Sequence, residues 1–430
     1  MSAAPHAHGE AYGPALPQLR DHVPGAQYSS VAVVFLARSA AGVCGAVAMG
    51  RALEATARTH LALSAATALA CCGALLLPLA ASVPALMAAV FVMDVGLGGV
   101  NCGGNTLCAW ANAENPTPAL NVLNGAFGLG ALTGPLVMVA ASNDAKRAFW
   151  AIAALSAAAA LVGLLVPPPP APPPRKAAEG GEGGGRGGGG EGGALLVMPL
   201  TAAFICLSVG AEISFGAFAV PYALGQNELY DASGGREGFR MSVTEADVLN
   251  SCFWATFTAA RLLWGALALR VRPAPSLAGQ LATLTAAMAM MALLPTRLSF
   301  WLGAVVYGAG MSGCFAAALA QMQEIAGGMT GAAGAWVSGG ASLGPLVQLA
   351  VASRASHPRE IMWTILAACI GACASMGALW AACSVHWRGA PGGYNSYSNS
   401  SAQPEYKVIA LIEMDGDGAG GVVDIDIDQP

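Results

Sequence analysis

Eleven apolar stretches of about twenty residues divide the chain, and they constrain its fold more than any other feature. They lie at about 28–50, 60–81, 84–112, 118–142, 146–166, 195–224, 245–270, 276–296, 298–323, 328–353 and 359–384. A helix of about 20 residues crosses the hydrocarbon core of a bilayer. Only 10% of the residues are charged, against about 25% in soluble domains. The sequence therefore predicts an all-α polytopic membrane protein.

One apolar segment occurs twice in the chain. Residues 125–137 read GAFGLGALTGPLV and residues 335–347 read AWVSGGASLGPLV, with six of thirteen positions identical. Both copies contain Gly-x-x-x-Gly-Pro, a spacing that lets helices approach closely. This internal repeat indicates two homologous membrane halves, the plan of many secondary transporters.

A stretch rich in proline and glycine separates five of the apolar segments from the other six. We predict an N-terminal segment, a first helical half, this linker, a second helical half and a disordered acidic tail. Their ranges are 1–27, 28–166, 167–194, 195–384 and 385–430.

The two halves differ by one segment. Aligning the two GPLV copies makes 118–142 the fifth helix of its half, so a first helix is expected to be missing by truncation. Residues 9–19 resemble the end of such a helix. The alternative is a protein with eleven true spans.

Four motifs, in the same order, resemble the branch of the major facilitator superfamily that contains sodium-dependent glucose transporters and fucose permeases. They are VGLGGVNCGGNTL (95–107), LNGAFGLGALTGPLV (123–137), GAEISFGAF (210–218) and FWATFTAARLL (253–263). The resemblance implies the two-half major facilitator fold, with usually twelve helices of which about eleven are present here, and a cytosolic linker. It also implies alternating access around a hexose or similar polyol.

Two positions depart from the branch. Asn101 stands where the branch usually has an acid, and Asn124 stands where it often has a histidine. Both changes introduce a neutral amide, which still binds sugar hydroxyls through one donor group and one acceptor. They weaken the case for ion coupling through segment 84–112.

Polar side chains form a stripe on segment 84–112. Asp94, Asn101 and Asn105 are spaced i, i+7 and i+11, which places them within about 40° of one another on a helix. Lipid cannot satisfy such side chains, so the stripe is expected to face a cavity. We predict that Asn101, Asn105 and Asn124 bind solute.

Aromatic residues offer a second kind of contact with a sugar. Trp254, Phe257 and Tyr307 lie in apolar segments of the second half. Their rings could stack on the apolar face of a sugar, and ordinary helix packing is the alternative for each.

Four charged residues lie well inside predicted spans: Arg38, Asp94, Glu212 and Arg261. A charge there costs about 2.5–3.5 kcal/mol on insertion scales, so each requires a reason. Arg38 and Asp94 are expected at similar depth, either as a structural ion pair or in direct contact with solute or ion. Glu212 is the candidate for coupling to H⁺ or Na⁺, and an ion pair with Arg261 is its alternative.

These observations predict a secondary or facilitative transporter of a small polar solute, with a hexose favoured. The alternatives are an organic-anion or drug transporter of the same fold, and a membrane receptor or scaffold that transports nothing. The protein is expected to be no enzyme, to hold no metal and no cofactor beyond a coupling ion, and to bind no nucleic acid. Its partners are the solute and the lipid bilayer, and a monomer is expected. It is a multi-pass protein of a membrane that the sequence does not specify.

Overall fold

The computed structural model describes residues 28–113, 115–141, 144–165, 190–326, 329–354 and 357–388. The predicted N-terminal segment, with its remnant of a first helix, lies outside these ranges, as do most of the predicted linker and tail. Within the described ranges the chain is helical and contains no strand. The predicted all-α class is confirmed.

Within the described residues, five α-helices precede the linker, and we call them the first half. Local signals set their ends: the Ser82 hydroxyl accepts a hydrogen bond from the backbone N–H of Ala85 at 3.3 Å, which caps the third helix. The short 3₁₀ turn Leu77–Leu79 extends the second helix. The helices are α1 (Tyr28–Ala55), α2 (Thr59–Leu76), α3 (Val83–Ala111), α4 (Pro116–Ala140) and α5 (Ala145–Leu165).

In the described part of the chain after the linker, eight further α-helices make up the second half. Ser242, Thr296 and Thr330 cap three of them through their side-chain oxygens. The helices are α6 (Gly190–Ala232), α7 (Val243–Leu267), α8 (Pro273–Leu293), α9 (Arg297–Met311), α10 (Cys314–Ala326), α11 (Gly331–Leu343), α12 (Pro345–Ala352) and α13 (Pro358–Arg388).

Each of the eleven predicted apolar segments coincides with a helix or a pair of helices. Seven spans within the described residues are long and apolar enough to cross a bilayer. Large apolar side chains on the outer surface remain uncovered, such as Leu161 at 64% exposure and Leu298 at 68%. A surface of this kind suits a lipid environment, because lipid tails solvate apolar groups.

Two predicted segments are interrupted. The regular helical hydrogen bonding is interrupted at Ser312–Gly313, between α9 and α10, and again at Gly344, between α11 and α12, although the dihedral angles of Ser312 and Gly344 stay helical. Pro345 explains the second break, because proline has no N–H to donate and its ring clashes with the preceding turn. In contrast, α4 runs from Pro116 to Ala140 through the other GPLV copy without a break.

Glycines bring the helices of the two halves together. A Cβ added to Gly42 of α1 would lie 2.5 Å from the hydroxyl oxygen of Ser342 in α11, and one added to Gly50 would lie 2.5 Å from the carbonyl oxygen of Gly331. On α4, Gly125 lies against Leu262 of α7. Thus α1 packs against α11, and α4 packs against α7.

Candidate solute-binding site

Three asparagines on α3 and α4 form a connected row, which we call the amide ladder (Asn101, Asn105 and Asn124). The Nδ2 group of Asn105 donates to Oδ1 of Asn101 at 2.7 Å and to its backbone oxygen at 2.9 Å. Oδ1 of Asn105 accepts from Nδ2 of Asn124 at 3.0 Å. The spacing of four residues on α3 puts the first two side chains on neighbouring turns. The structure thus brings the three predicted amides together.

The ends of the amide ladder remain available. Asn101 and Asn124 are half-buried, whereas Asn105 is 3% exposed. Among the described residues, Nδ2 of Asn101 and Oδ1 of Asn124 have no hydrogen-bond partner, and neither atom is buried. A Cβ added to Gly104, beside the ladder on α3, would meet nothing within 4 Å. The ladder therefore offers one donor and one acceptor, with open space next to it.

Arg261 of α7 lies at the far end of the ladder and is 4% exposed. Its Nη1 donates to the backbone oxygen of Asn124 at 2.8 Å, and its Nε donates to the backbone oxygen of Ser312 at 2.6 Å. Its guanidinium carbon stands 4.2 Å from the centre of the Phe257 ring, a cation–π contact. Within the described residues, no carboxylate lies within 4.0 Å of this cation. Backbone dipoles and an aromatic face hold it instead.

Glu212 of α6 is 5% exposed. Its carboxylate lies within electrostatic range of Arg261 and Tyr307. In the described part of the chain, Glu212 and Arg261 are nevertheless too far apart for an ion pair at 4.0 Å. The structure thus places the predicted coupling residue near the ladder's cation without joining the two charges.

Arg38 of α1 and Asp94 of α3 form an ion pair. Nε of Arg38 lies 3.4 Å from Oδ1 of Asp94, and the two side chains are 17% and 9% exposed. Oδ2 of Asp94 is buried and has no hydrogen-bond partner among the described residues. The predicted pairing at similar depth is present, and a direct role in transport stays a prediction.

The three predicted aromatic residues occupy different environments. Phe257 and Tyr307 are both 0% exposed, whereas Trp254 is half-buried and packs on Gly216. The Tyr307 ring lies 5.1 Å from that of Phe215, and its hydroxyl contacts Sγ of Cys369 at 3.8 Å. Of the three, only Trp254 keeps part of its side chain exposed in this conformation.

The two halves also contact each other at the end of the bundle where α1 and α3 end and α11 begins. The helix α5, which precedes the linker, ends on the same side, so we call this the linker-side end. Nε1 of Trp110 donates to the backbone oxygen of Met329 at 2.9 Å, and Oε1 of Glu54 accepts from the backbone N–H of Ala332 at 2.7 Å. These hydrogen bonds close the two halves together at this end.

Sequence reasoning missed Ser312, Trp110 and Glu54. Ser312 acts through its backbone oxygen, which the helix break exposes, so no property of its side chain indicated it. The glycine-rich stretch 308–314 (GAGMSGC) is the only local signal of a break there. Trp110 and Glu54 lie at helix ends, where polar groups are ordinary, and their partners are more than 200 residues away.

A cavity of about 380 Å³ opens at the other end of the second half, and no predicted site residue lines it. Its charged groups pair with one another: Arg240 with Asp231 at 2.6 Å and Arg297 with Glu245 at 2.6 Å. The hydrogen bond from Arg240 to Asp231 raises the pKa of the Arg240 guanidinium. The cavity therefore holds no unmet charge for a ligand.

Known protein families and solved structures of similar fold identify the family of this chain. Residues 9–345 match the Major Facilitator Superfamily, and no curated protein matches the chain by sequence. Among solved structures, the fold resembles that of FucP, a Major Facilitator Superfamily transporter in the outward conformation. The TM-score is 0.60 at 13% identity, over 86% of this chain and 96% of that one. A variant of the E. coli fucose:proton symporter FucP gives a TM-score of 0.58 at 13% identity, with the same coverage. The resemblance to the fucose permease branch therefore extends to the fold, and the chain belongs to the major facilitator superfamily as a multi-pass integral membrane transporter.

Proposed function

We propose that this transporter carries a hexose, bound between the halves at the amide ladder and moved by alternating access. The ladder itself is the observation that carries the proposal. Three neutral amides are joined at 2.7 and 3.0 Å inside a membrane-spanning bundle, where unsatisfied polar groups are costly. A neutral solute with many hydroxyls suits such a site, because each hydroxyl both donates and accepts.

The free atoms of the ladder match this chemistry. Nδ2 of Asn101 would donate to a sugar hydroxyl, and Oδ1 of Asn124 would accept from one. A Cβ added to Gly104 would meet nothing within 4 Å, so the sugar ring would lie on this side of α3, and Trp254 is the predicted aromatic residue that remains partly exposed. The solved FucP structures support the proposal through their fold, and one of them is described as a fucose:proton symporter.

The test is uptake of a labelled hexose panel into transport-deficient cells, with and without Na⁺ and H⁺ gradients. Saturable uptake is expected, with KM raised about tenfold or more in Asn101→Ala, since one hydrogen bond to solute is lost. Asn112→Ala is the matched control, because Asn112 is an exposed asparagine at the end of the same helix. Absence of saturable hexose uptake, at verified surface expression, would refute the proposal.

Coupling is assigned to Glu212 in the same proposal. A buried carboxylate that gains and loses a proton or coordinates Na⁺ can link solute movement to an ion gradient. Glu212→Gln is expected to abolish gradient-driven accumulation while sparing exchange. The control is Glu228→Gln, an exposed carboxylate on the same helix α6. Accumulation that is unchanged in Glu212→Gln would remove the residue from the coupling role.

One observation favours a second candidate, an organic-anion transporter of the same fold. Arg261 has no carboxylate within 4.0 Å among the described residues, and a solute anion could neutralise it. The panel should therefore include a hexuronate, which has the hydroxyls of a hexose and one carboxylate. Uptake of the hexuronate with much lower KM than its parent hexose would select this candidate.

A further inference from the structure

We propose that Arg261 is a positioning residue that couples solute binding at the amide ladder to closure of the linker-side end. The coupling rests on the proposed binding site, whereas the closure depends only on the contacts of Arg261. No solute needs to touch Arg261 in this role. It acts through Asn124.

The contacts of Arg261 join three elements. The side chain belongs to α7, its Nη1 donates to α4 of the first half at Asn124, and its Nε donates to Ser312 at the break between α9 and α10. Hydrogen bonds from an ionised donor are about twice as strong as neutral ones. Because the guanidinium is planar, it fixes the angle between its two acceptors. A single side chain thus holds α4 against the second half.

Asn124 belongs both to the amide ladder and to the pair of hydrogen bonds made by Arg261, which we call the clamp. Its side-chain Nδ2 donates to Asn105 at 3.0 Å, while its backbone oxygen accepts from Arg261. A hydroxyl that binds Oδ1 of Asn124 therefore acts on the residue that Arg261 holds.

The helices α4 and α7 also pack on each other, with Gly125 against Leu262, and Nδ2 of Asn115 just before α4 donates to the backbone oxygen of Ala268 just after α7 at 3.5 Å. Arg261 supplies a shorter and charged hydrogen bond, so its release weakens the polar attachment between α4 and α7.

Two native cysteines report on closure. Cys102 of α3 is 0% exposed, and a Cβ added to Gly334 of α11 would lie 3.3 Å from its Sγ. Separation of the halves at the linker-side end would uncover Cys102. Cys369 of α13 is also 0% exposed, but it contacts Tyr307 within the second half. It stays covered unless the second half unfolds.

The experiment measures labelling by N-ethylmaleimide in membranes, resolved by residue with mass spectrometry. In Arg261→Ala we expect Cys102 to be labelled about tenfold faster, because two charged hydrogen bonds are lost. The labelling rate of Cys369 should not change. Arg261→Lys keeps the charge without the planar fork, so an intermediate rate is expected. Arg270→Ala is the control, because Arg270 is exposed and lies just beyond the end of α7. It should leave both labelling rates unchanged.

Asn124→Ala separates the ladder from the clamp, because it removes the side chain and keeps the backbone oxygen. The effect of solute on the Cys102 rate is therefore compared with the solute-free rate of the same variant. A saturating transported hexose should raise that rate about twofold or more in the native protein, and should have no effect in Asn124→Ala.

The outcomes distinguish the clamp from the proposed function. A Cys102 rate that is unchanged in Arg261→Ala, with Cys369 protected, would overturn the clamp even if hexose is transported. If both cysteines become reactive, the variant is unfolded and Arg261→Lys decides by the same criterion. If no hexose is transported, the proposed function fails, and the solute-free labelling still decides the clamp. An unchanged Cys102 rate with saturating transported hexose would overturn the coupling alone.

Discussion

Two glycines of α3 should respond in opposite ways to the same small change. A Cβ added to Gly98 would overlap with the carbonyl oxygen of Gly42 in α1, which is backbone and cannot turn aside. A Cβ added to Gly104, on the same helix, would meet nothing within 4 Å. Gly98→Ala therefore wedges α1 and α3 apart, and Gly104→Ala is its matched control.

The magnitude follows from two opposing effects. Alanine favours a helix over glycine by about 1 kcal/mol, and both variants gain this. Only Gly98→Ala must also open the contact between two backbones, and such overpacking costs about 1–3 kcal/mol, occasionally more. The pair Arg38–Asp94 joins the same two helices, so separation also stretches that contact. We expect Gly98→Ala to lose up to about 2 kcal/mol on balance, while Gly104→Ala gains up to about 1 kcal/mol.

The assay is thermal unfolding of the purified protein in detergent, followed by a dye that reacts with buried cysteines as they become exposed. Gly98→Ala should unfold several degrees below the native protein, and Gly104→Ala at or above it. Equal midpoints for the two variants would refute the argument, because helix propensity is common to both. So would a more stable Gly98→Ala.

Three further changes test other contacts. Asp94→Asn should destabilise the protein by about 2–3 kcal/mol. This loss is smaller than that for breaking a fully buried ion pair, because the Arg38 side chain is 17% exposed. Arg38→Leu combined with Asp94→Leu should recover most of the lost stability in thermal unfolding. Trp110→Phe removes the hydrogen bond to Met329 and should speed labelling of Cys102 about two- to tenfold, whereas an unchanged rate would show that this contact does not hold the end closed. Tyr307→Phe loses only a weak contact with Cys369, so hexose KM should change less than about twofold; a tenfold rise would instead show that Tyr307 meets the solute.

Local periodicity was sufficient to predict the fold class and part of the site. Apolar runs of the right length predicted the membrane helices, and the rotation of 100° per residue placed Asn101 and Asn105 on one face of α3. Depth within the bilayer predicted that Arg38 could meet Asp94. Each of these inferences uses only the geometry of single helices.

Contacts between helices could not be predicted in the same way. The hydrogen bond from Arg261 to Asn124 depends on the register of α7 against α4, and nothing local in either segment sets that register. The same limit applies to Tyr307, which was a candidate for stacking on a sugar. Its burial follows from ring packing with Phe215 and Phe253, which are far from it in the chain.

The two copies of the GPLV motif show that identical residues can differ in their backbone hydrogen bonding. At Gly344 and Pro345 the helix is interrupted, and the backbone N–H of Gly344 reaches Ala341 at 3.0 Å in a tighter turn. The equivalent residues of α4 lie in an unbroken helix. The neighbours of each copy, and not the motif alone, decide whether proline ends the helix.

This difference has a consequence for spectroscopy. Between α11 and α12, hydrogen bonds from Gly344 to Ala341 and from Val347 to Gly344 replace the regular i→i−4 pattern, and Pro345 donates none. The two parts of this membrane span should therefore bend against each other more easily than the parts of an uninterrupted helix. Spin labels placed on either side of Pro345 should therefore change their separation as the protein cycles. Labels at matching positions on α4 should keep a constant separation, and this distance serves as the reference for the bending.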